Sequence, residues 1–310
     1  MARRRRGRPI DGVLILDKPV GRSSNGALQA ARAIFNAQKA GHTGSLDPLA
    51  SGVLPVCFGE ATKFSQYLLD ADKAYESTFV LGQRTDTCDA EGEVLEQRSA
   101  AAITEQQVLN AIQDFIGEIE QVPPMYSAIK KDGRKLYELA REGKEVERKA
   151  RKITIHSYEL LDFQPGELCK VKVAVSCTKG TYIRTLADDL GDKLGVGGHV
   201  CELRRTKAGK FSLDGAVTIP AIEALRGEEA FADLDALLLP ADAAVEDLPK
   251  LQLNEDASRY MLQGNPVMVS KAPLNTDFRL YTHDDRFLGL GFVRDDGMVG
   301  ARRLISTAET

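Results

Sequence analysis

Gly41-His42-Thr43-Gly44-Ser45-Leu46-Asp47-Pro48-Leu49-Ala50-Ser51-Gly52 is the stretch on which the reading of this chain turns. Its three glycines and one proline keep it out of the interior of a helix or a regular strand. Val53-Leu54-Pro55-Val56-Cys57-Phe58 follows, an apolar run with the length of a buried strand. Reactive side chains are commonly carried on polar loops mounted on buried structure, and this loop holds a histidine, a carboxylate and three hydroxyls. Pro48 pushes Asp47 out of the helical region and restricts its backbone. The loop alone is equally an Asp-Pro turn whose carboxylate bonds nearby amides, so its meaning depends on what the rest of the chain brings to it.

A chain of 310 residues, 43% apolar and 28% charged, can bury one large core, or a large and a small one. Its longest apolar run, Ala236-Leu237-Leu238-Leu239, stops at Pro240, far short of a membrane span. Met1-Ala2-Arg3-Arg4-Arg5-Arg6-Gly7-Arg8 is basic, lacks the apolar segment of a secretory signal, and reads as flexible. The five cysteines form no C-x-x-C pair, which argues against a disulfide framework or a zinc site and for a reduced, cytoplasmic compartment. Net charge is -4, yet residues 223–258 hold ten acidic and two basic side chains, leaving that stretch at -8 and the remainder at +4. Residues 129–152 carry ten Lys or Arg against five acids, and Arg204, Arg205, Lys207 and Lys210 form a second basic cluster. Phosphate binding responds to local basic surface, so these clusters point to nucleic acid despite the acidic total.

Gly12–Asp17 reads as a buried strand and Lys18-Pro19-Val20-Gly21 as a turn. Ser23, Ser24 or Asn25 can cap a helix from Gly26 to Lys39. A second helix fits 61–69, and 73–82 alternates like a half-buried strand. Residues 83–103 read as a polar loop, and Thr104-Glu105-Gln106-Gln107 has capping-box spacing before Val108, Ile112 and Phe115 at helical period. Between Pro123-Pro124 and Arg151 lies a basic arm whose central helix, 134–142, is expected to expose Leu136 and Tyr137 among charges, a composition suited to RNA. Strands fit 153–163 and 169–176, and 182–194 reads as a helix. Arg184 in its first turn opposes the helix dipole, a sign that it serves something else. From about residue 249, short strands joined by Asp/Gly turns describe a small β-barrel. No long apolar stripe calls for a protein partner, so the chain reads as a monomer.

Asp47, Tyr75 and Arg184 are the chemical candidates. Metal ligation needs several carboxylates or histidines, and none flank Asp47 at useful spacing, since His156, His199 and His283 are dispersed. There is no phosphate loop, dinucleotide fingerprint or nucleophile elbow in the right context. Elimination leaves a cofactor-free site in which one aspartate does covalent or proton-transfer work beside a nucleic-acid surface.

The Gly41–Leu54 segment resembles the signature of the bacterial TruB family of tRNA pseudouridine synthases. So do Asp17-Lys18-Pro19-Val20-Gly21-Arg22, Lys73-Ala74-Tyr75-Glu76, Pro123-Pro124-Met125-Tyr126-Ser127-Ala128-Ile129-Lys130, Thr178-Lys179-Gly180-Thr181-Tyr182-Ile183-Arg184 and Leu203-Arg204-Arg205-Thr206. The resemblance runs over nearly the whole chain, with Ser45 and Ser51 standing where threonine is common. It implies an α+β pseudouridine-synthase fold, with a mixed, largely antiparallel central sheet over 1–248 and a thumb-like insertion at 123–152. A PUA-like β-barrel at 249–310 would complete it. The implied activity converts the T-loop uridine of tRNA position 55 to pseudouridine without metal or cofactor. Asp47 matches the nucleophile and Arg184 the arginine that pairs with it, a pairing expected to hold the carboxylate ionised and oriented. Tyr75 matches the tyrosine that stacks on the target base, Tyr182 and Leu203 match uracil-pocket residues, and His42 matches a histidine that contacts the RNA loop. Lys18 and Pro19 match a support for the loop. The rival readings are a non-catalytic RNA-binding or tRNA-folding module of this shape, and an RNA-guided relative working inside a complex.

Overall fold

The computed structural model describes residues 7–226 and 231–306. Its body is a ten-stranded sheet built from the apolar runs of the sequence. Along its main path the order is Val217–Thr218, Gly12–Lys18, Ala50–Phe58, Gly198–Ala208, Lys73–Leu81, Cys169–Cys177, Arg151–Gln164 and Gly117–Gln121. Two pairings are parallel, Val217–Thr218 with Gly12–Lys18 and Ala50–Phe58 with Gly198–Ala208, and the others are antiparallel. This is the mixed, largely antiparallel sheet implied by the resemblance.

Gly198–Ala208 lies at the middle of the sheet, between the strand that follows the Asp47 loop and the strand that carries Tyr75. Leu203 sits level with Ala50 on one side and Ser77 on the other; Arg205 sits level with Gly52 and Tyr75. Gly52 makes this approach possible. Its φ is +105°, and a Cβ there would stand 2.1 Å from the Arg205 carbonyl oxygen. Gly52→Ala is therefore expected to cost more than about 4 kcal/mol, because neither neighbouring backbone can retreat. A thermal unfolding curve matching wild type would contradict this pairing.

One face of the sheet packs Phe79, Val171, Val173 and Val175 against helices Glu105–Gln113 and Ile183–Lys193. The opposite face packs Val13, Ile15, Val53 and Cys57 around Phe64 and Leu68. Further along the first face, Leu14, Leu16, Leu54 and Val56 pack against helix Ser24–Ile34 and Ile222. Ser23 caps that helix, its Oγ accepting from the Gly26 amide at 3.0 Å. The helix stops at Ile34, short of the expected Lys39, and the chain turns at Asn36 with φ +48°. The capping box at Thr104 forms as its spacing predicts. Within the expected polar loop 83–103, Gln83–Thr85 and Val94–Gln97 pair as a hairpin. The expected helix at 61–69 is a 3-10 turn, Gly59–Phe64, followed by a short α-helix, Ser65–Asp70.

The flexible reading of residues 1–8 falls largely outside the described residues. Arg8, which is described, is fixed: its amide donates to the Asn36 carbonyl and its guanidinium pairs with Asp235.

A second sheet, ordered Lys250–Gln252, Phe278–Tyr281, Phe287–Val293 and Val299–Leu304, surrounds a core of Leu251, Met261, Phe278, Leu280 and Val299. Among the described residues it is open, extended at its edge by a Val267–Val299 bridge, and does not close into a barrel. It docks on the body through Phe64 edge-on to Phe287, ring centroids 5.4 Å apart, and through the Tyr67 hydroxyl donating to Asp277 at 2.9 Å.

Candidate active site

The Asp47 loop is clamped from three sides. From the central strand, Arg205 (1% exposed) donates Nε to the Val53 carbonyl at 2.7 Å and Nη2 to the Gly44 carbonyl at 3.0 Å, joining the two ends of the loop. Lys18, fully buried opposite Gly52, donates Nζ to the carbonyls of Pro19 (2.8 Å), Arg22 and, more weakly, Pro48 (3.5 Å). Burial pushes the Lys18 ammonium down to about 8, against the pull of Asp47. Ser24 closes the third side, its Oγ accepting from the Leu46 amide at 2.7 Å and donating to the Leu46 carbonyl at 3.0 Å. Pro19 lends its carbonyl to Lys18 and is itself exposed.

These contacts narrow the reading of Arg204, Arg205, Lys207 and Lys210 as a phosphate-binding cluster, leaving Lys207 exposed and without an ion pair among the described residues. Arg205 is a buried brace, Arg204 pairs with Asp17 at 2.7 Å and Lys210 pairs with Glu246.

The awkward arginine at a helix start is explained by where its side chain goes. Arg184 (side chain 5% exposed) places Nε 2.9 Å from Asp47 Oδ2 and Nη1 3.4 Å from Asp89 Oδ2. It also donates to the carbonyls of Thr87 (2.9 Å) and Tyr126 (2.7 Å). Asp89 is as buried as the arginine, and its Oδ1 accepts from the Thr87 hydroxyl at 2.6 Å and the Glu91 amide at 3.1 Å. Asp89 did not emerge from the sequence. Its signal was the cluster Asp86-Thr87-Cys88-Asp89, whose tight turn holds Cys88 at φ +58°.

Asp47 itself is 42% exposed on its side chain and faces a cleft of about 560 Å³. Desolvation raises its pKa above the ordinary 3.8 and outweighs the opposing Arg184 guanidinium, with Asp89 pushing the same way. The ion pair favours the ionised carboxylate and orients it, as expected, but desolvation exceeds its pull, so the net shift is upward. Protonation should remove the reactive form at a higher pH than for a free aspartate. The single-turnover rate is expected to fall on acidification with a midpoint above 3.8; a midpoint at or below that value would contradict the desolvated setting.

Tyr75 and Leu203 line the same cleft from adjacent strands, and Tyr182 lines it from the residue before the Arg184 helix. Burial pushes the Tyr75 phenol up, with Arg205 opposing. Tyr182 is held by its backbone: Gln121, 2% exposed, accepts from the Tyr182 amide at 2.8 Å and donates to its carbonyl at 3.1 Å. Gln121 is a second residue that sequence reasoning missed. His42 lies apart from the cleft wall, on a short strand beside Val56. Burial lowers its pKa, and its Nδ1 has no hydrogen-bond partner among the described residues.

The basic arm folds back over the site. Tyr126 delivers its carbonyl to Arg184 and its hydroxyl to Asp86, while Tyr137 and Arg141 reach the cleft wall from helix Leu136–Arg141. Leu136, expected to be exposed, is buried at 2% and anchors that helix. Among the described residues, no cluster of three or more His, Cys, Asp or Glu side chains could hold a metal ion, and no helix is long and apolar enough to cross a membrane.

Known proteins share this fold. A solved structure of an H/ACA RNP bound to a substrate RNA containing 2'-deoxyuridine superposes with a TM-score of 0.71 at 25% identity, covering 100% of this chain and 92% of that one. Sequence models match along the chain: the N-terminal domain of TruB family pseudouridylate synthases over residues 32–183, the tRNA pseudouridylate synthase B C-terminal domain over 184–246, and the pseudouridine synthase II TruB C-terminal region over 249–305. The tRNA pseudouridine synthase B of Saccharophagus degradans is 52% identical over 308 residues, covering 98% of each chain. That of Stutzerimonas stutzeri is 55% identical over 298 residues, covering 96% of each. The family models and the full-length relatives define the chain as a pseudouridylate synthase. Within that class, the chain belongs to the TruB family.

Proposed function

We propose that this chain isomerises uridine to pseudouridine in tRNA, at the T-loop uridine of position 55, with Asp47 as the catalytic carboxylate and Arg184 as its partner. The observation that carries this reading is Asp47 Oδ2 lying 2.9 Å from Arg184 Nε in a cleft also lined by Tyr75 and Leu203. The relatives named tRNA pseudouridine synthase B, matched end to end, support tRNA as substrate.

The bond from C1′ to N1 breaks, the freed uracil turns, C5 bonds to C1′, C5 gives up its proton and N1 takes one. Atoms and electrons balance without an external oxidant or reductant. Asp47 can add to C6, attack C1′ or remove a sugar proton, and each route needs an unprotonated carboxylate fixed against the base. Arg184 fixes it in place, and the loop clamps hold the backbone behind it. The base must first leave its stack, at a cost of about a few kcal/mol. Tyr75 and Leu203 replace part of the lost stacking, and Tyr182 closes the pocket. In this reading His42, which lies outside the cleft wall, contacts the RNA loop around the extruded nucleotide.

Residues 1–248 form the catalytic domain in this reading, and 249–310 an RNA-binding domain that reaches toward the acceptor end. The chain works as a cytoplasmic monomer without guide RNA or an obligatory protein partner, and it also helps tRNA fold. Site specificity is tested with two transcripts, one carrying uridine and one cytidine at position 55. Product is expected only in the first, and pseudouridine elsewhere in either would overturn the assignment. Removing arm residues 130–149 is expected to weaken RNA binding and flatten its dependence on salt. An unchanged slope of log affinity against log salt would mean that the arm does not touch phosphate.

A further inference from the structure

We propose that Arg141 is the binding site for a backbone phosphate next to the flipped uridine, an inference that rests on the function proposed above. Five cations line the cleft among the described residues, and four are already engaged. Lys73 is buried, donates to the carbonyls of Leu68, Leu69 and Ala71, and is pushed down to about 8 by desolvation. Lys179 sits on Asp70 at 2.8 Å. Arg184 is taken up by Asp47 and Asp89, and Arg205 by the loop carbonyls.

Arg141 remains. It is exposed and has no hydrogen bond or ion pair among the described residues. Its guanidinium lies 5.3 Å from the centroid of the Tyr137 ring, and Tyr137 is held in turn by its amide donating to the Ser127 carbonyl at 3.1 Å. Buried Leu136 anchors the same turn. The ring restrains the guanidinium while leaving its donor edge free for a phosphate.

An RNA strand that extrudes one base presents the two flanking phosphates at the mouth of the cleft, where the other lining cations already have partners. Arg141 answers that charge without competing for Asp47, whose ion pair is with Arg184.

The test is a salt titration of binding between the purified full-length chain and an unmodified T-arm hairpin. Arg141→Ala is expected to weaken binding about tenfold and to reduce the magnitude of the salt slope by about one. Arg141→Lys should restore most of the slope. A neutral methylphosphonate at one of the two linkages flanking the target uridine should weaken wild type by a similar factor and leave Arg141→Ala no weaker. An unchanged slope in Arg141→Ala, losses that multiply at both linkages, or a loss carried by Lys179→Ala instead would overturn the proposal. Because these readouts are binding alone, they stand even if no pseudouridine forms, an outcome that would count against the proposed reaction and not against the phosphate site.

Discussion

Asp47→Asn is expected to lower the single-turnover rate of pseudouridine formation by about 10⁴-fold or more while leaving tRNA affinity within about tenfold of wild type. Asparagine fills the same space but cannot serve as nucleophile or base. The loop does not depend on Asp47 for its shape, since Lys18, Ser24 and Arg205 hold its backbone through bonds that the substitution leaves intact. Arg184 keeps Asp89 and the carbonyls of Thr87 and Tyr126. The variant should therefore fold, bind tRNA and retain any folding assistance that does not require chemistry. A drop in affinity beyond about a hundredfold would assign Asp47 to the architecture of the RNA surface instead.

Arg184→Lys is expected to cost about 10³-fold in rate and several degrees of thermal stability, although charge is conserved. The guanidinium reaches four acceptors on three chain segments: Asp47, Asp89, and the carbonyls of Thr87 and Tyr126. A single ammonium cannot reach them all, so the buried Asp89 carboxylate and the carbonyl oxygens lose partners. The Tyr126 carbonyl belongs to the arm, so the arm should also dock less firmly. A lysine variant with wild-type rate and melting temperature would show that a point charge suffices and that the fork geometry is incidental.

Much of this was legible in the sequence because several signals agreed with the tertiary structure. The apolar run after the loop became a buried strand, the Thr104 spacing became a capping box, and the misplaced Arg184 pointed to an ion pair outside its helix. The central strand Gly198–Ala208 was hidden because the alternation that would reveal it passes through a buried arginine. Counted as surface charge, Arg205 breaks the apolar pattern and imitates a phosphate site; only the loop carbonyls at Gly44 and Val53 explain how a cation can be buried there. Asp89 was hidden for a related reason. Its neighbours are polar and no hydrophobic period marks them, yet a turn clipped to Val200 carries it beneath the guanidinium. Gln121 acts through the backbone of a residue 61 positions away, a contact that local pattern does not encode. Leu136 looked stranded among charges because its burial depends on how the arm folds back on the body.

The most direct test is to incubate the purified chain alone, without guide RNA or another protein, with an unmodified tRNA transcript and to map pseudouridine nucleotide by nucleotide. Quantitative conversion of the T-loop uridine at position 55, absent with Asp47→Asn, is the predicted result. An unchanged uridine at that position, with tRNA demonstrably bound, would contradict the proposed activity and favour a non-catalytic RNA-binding role for this fold.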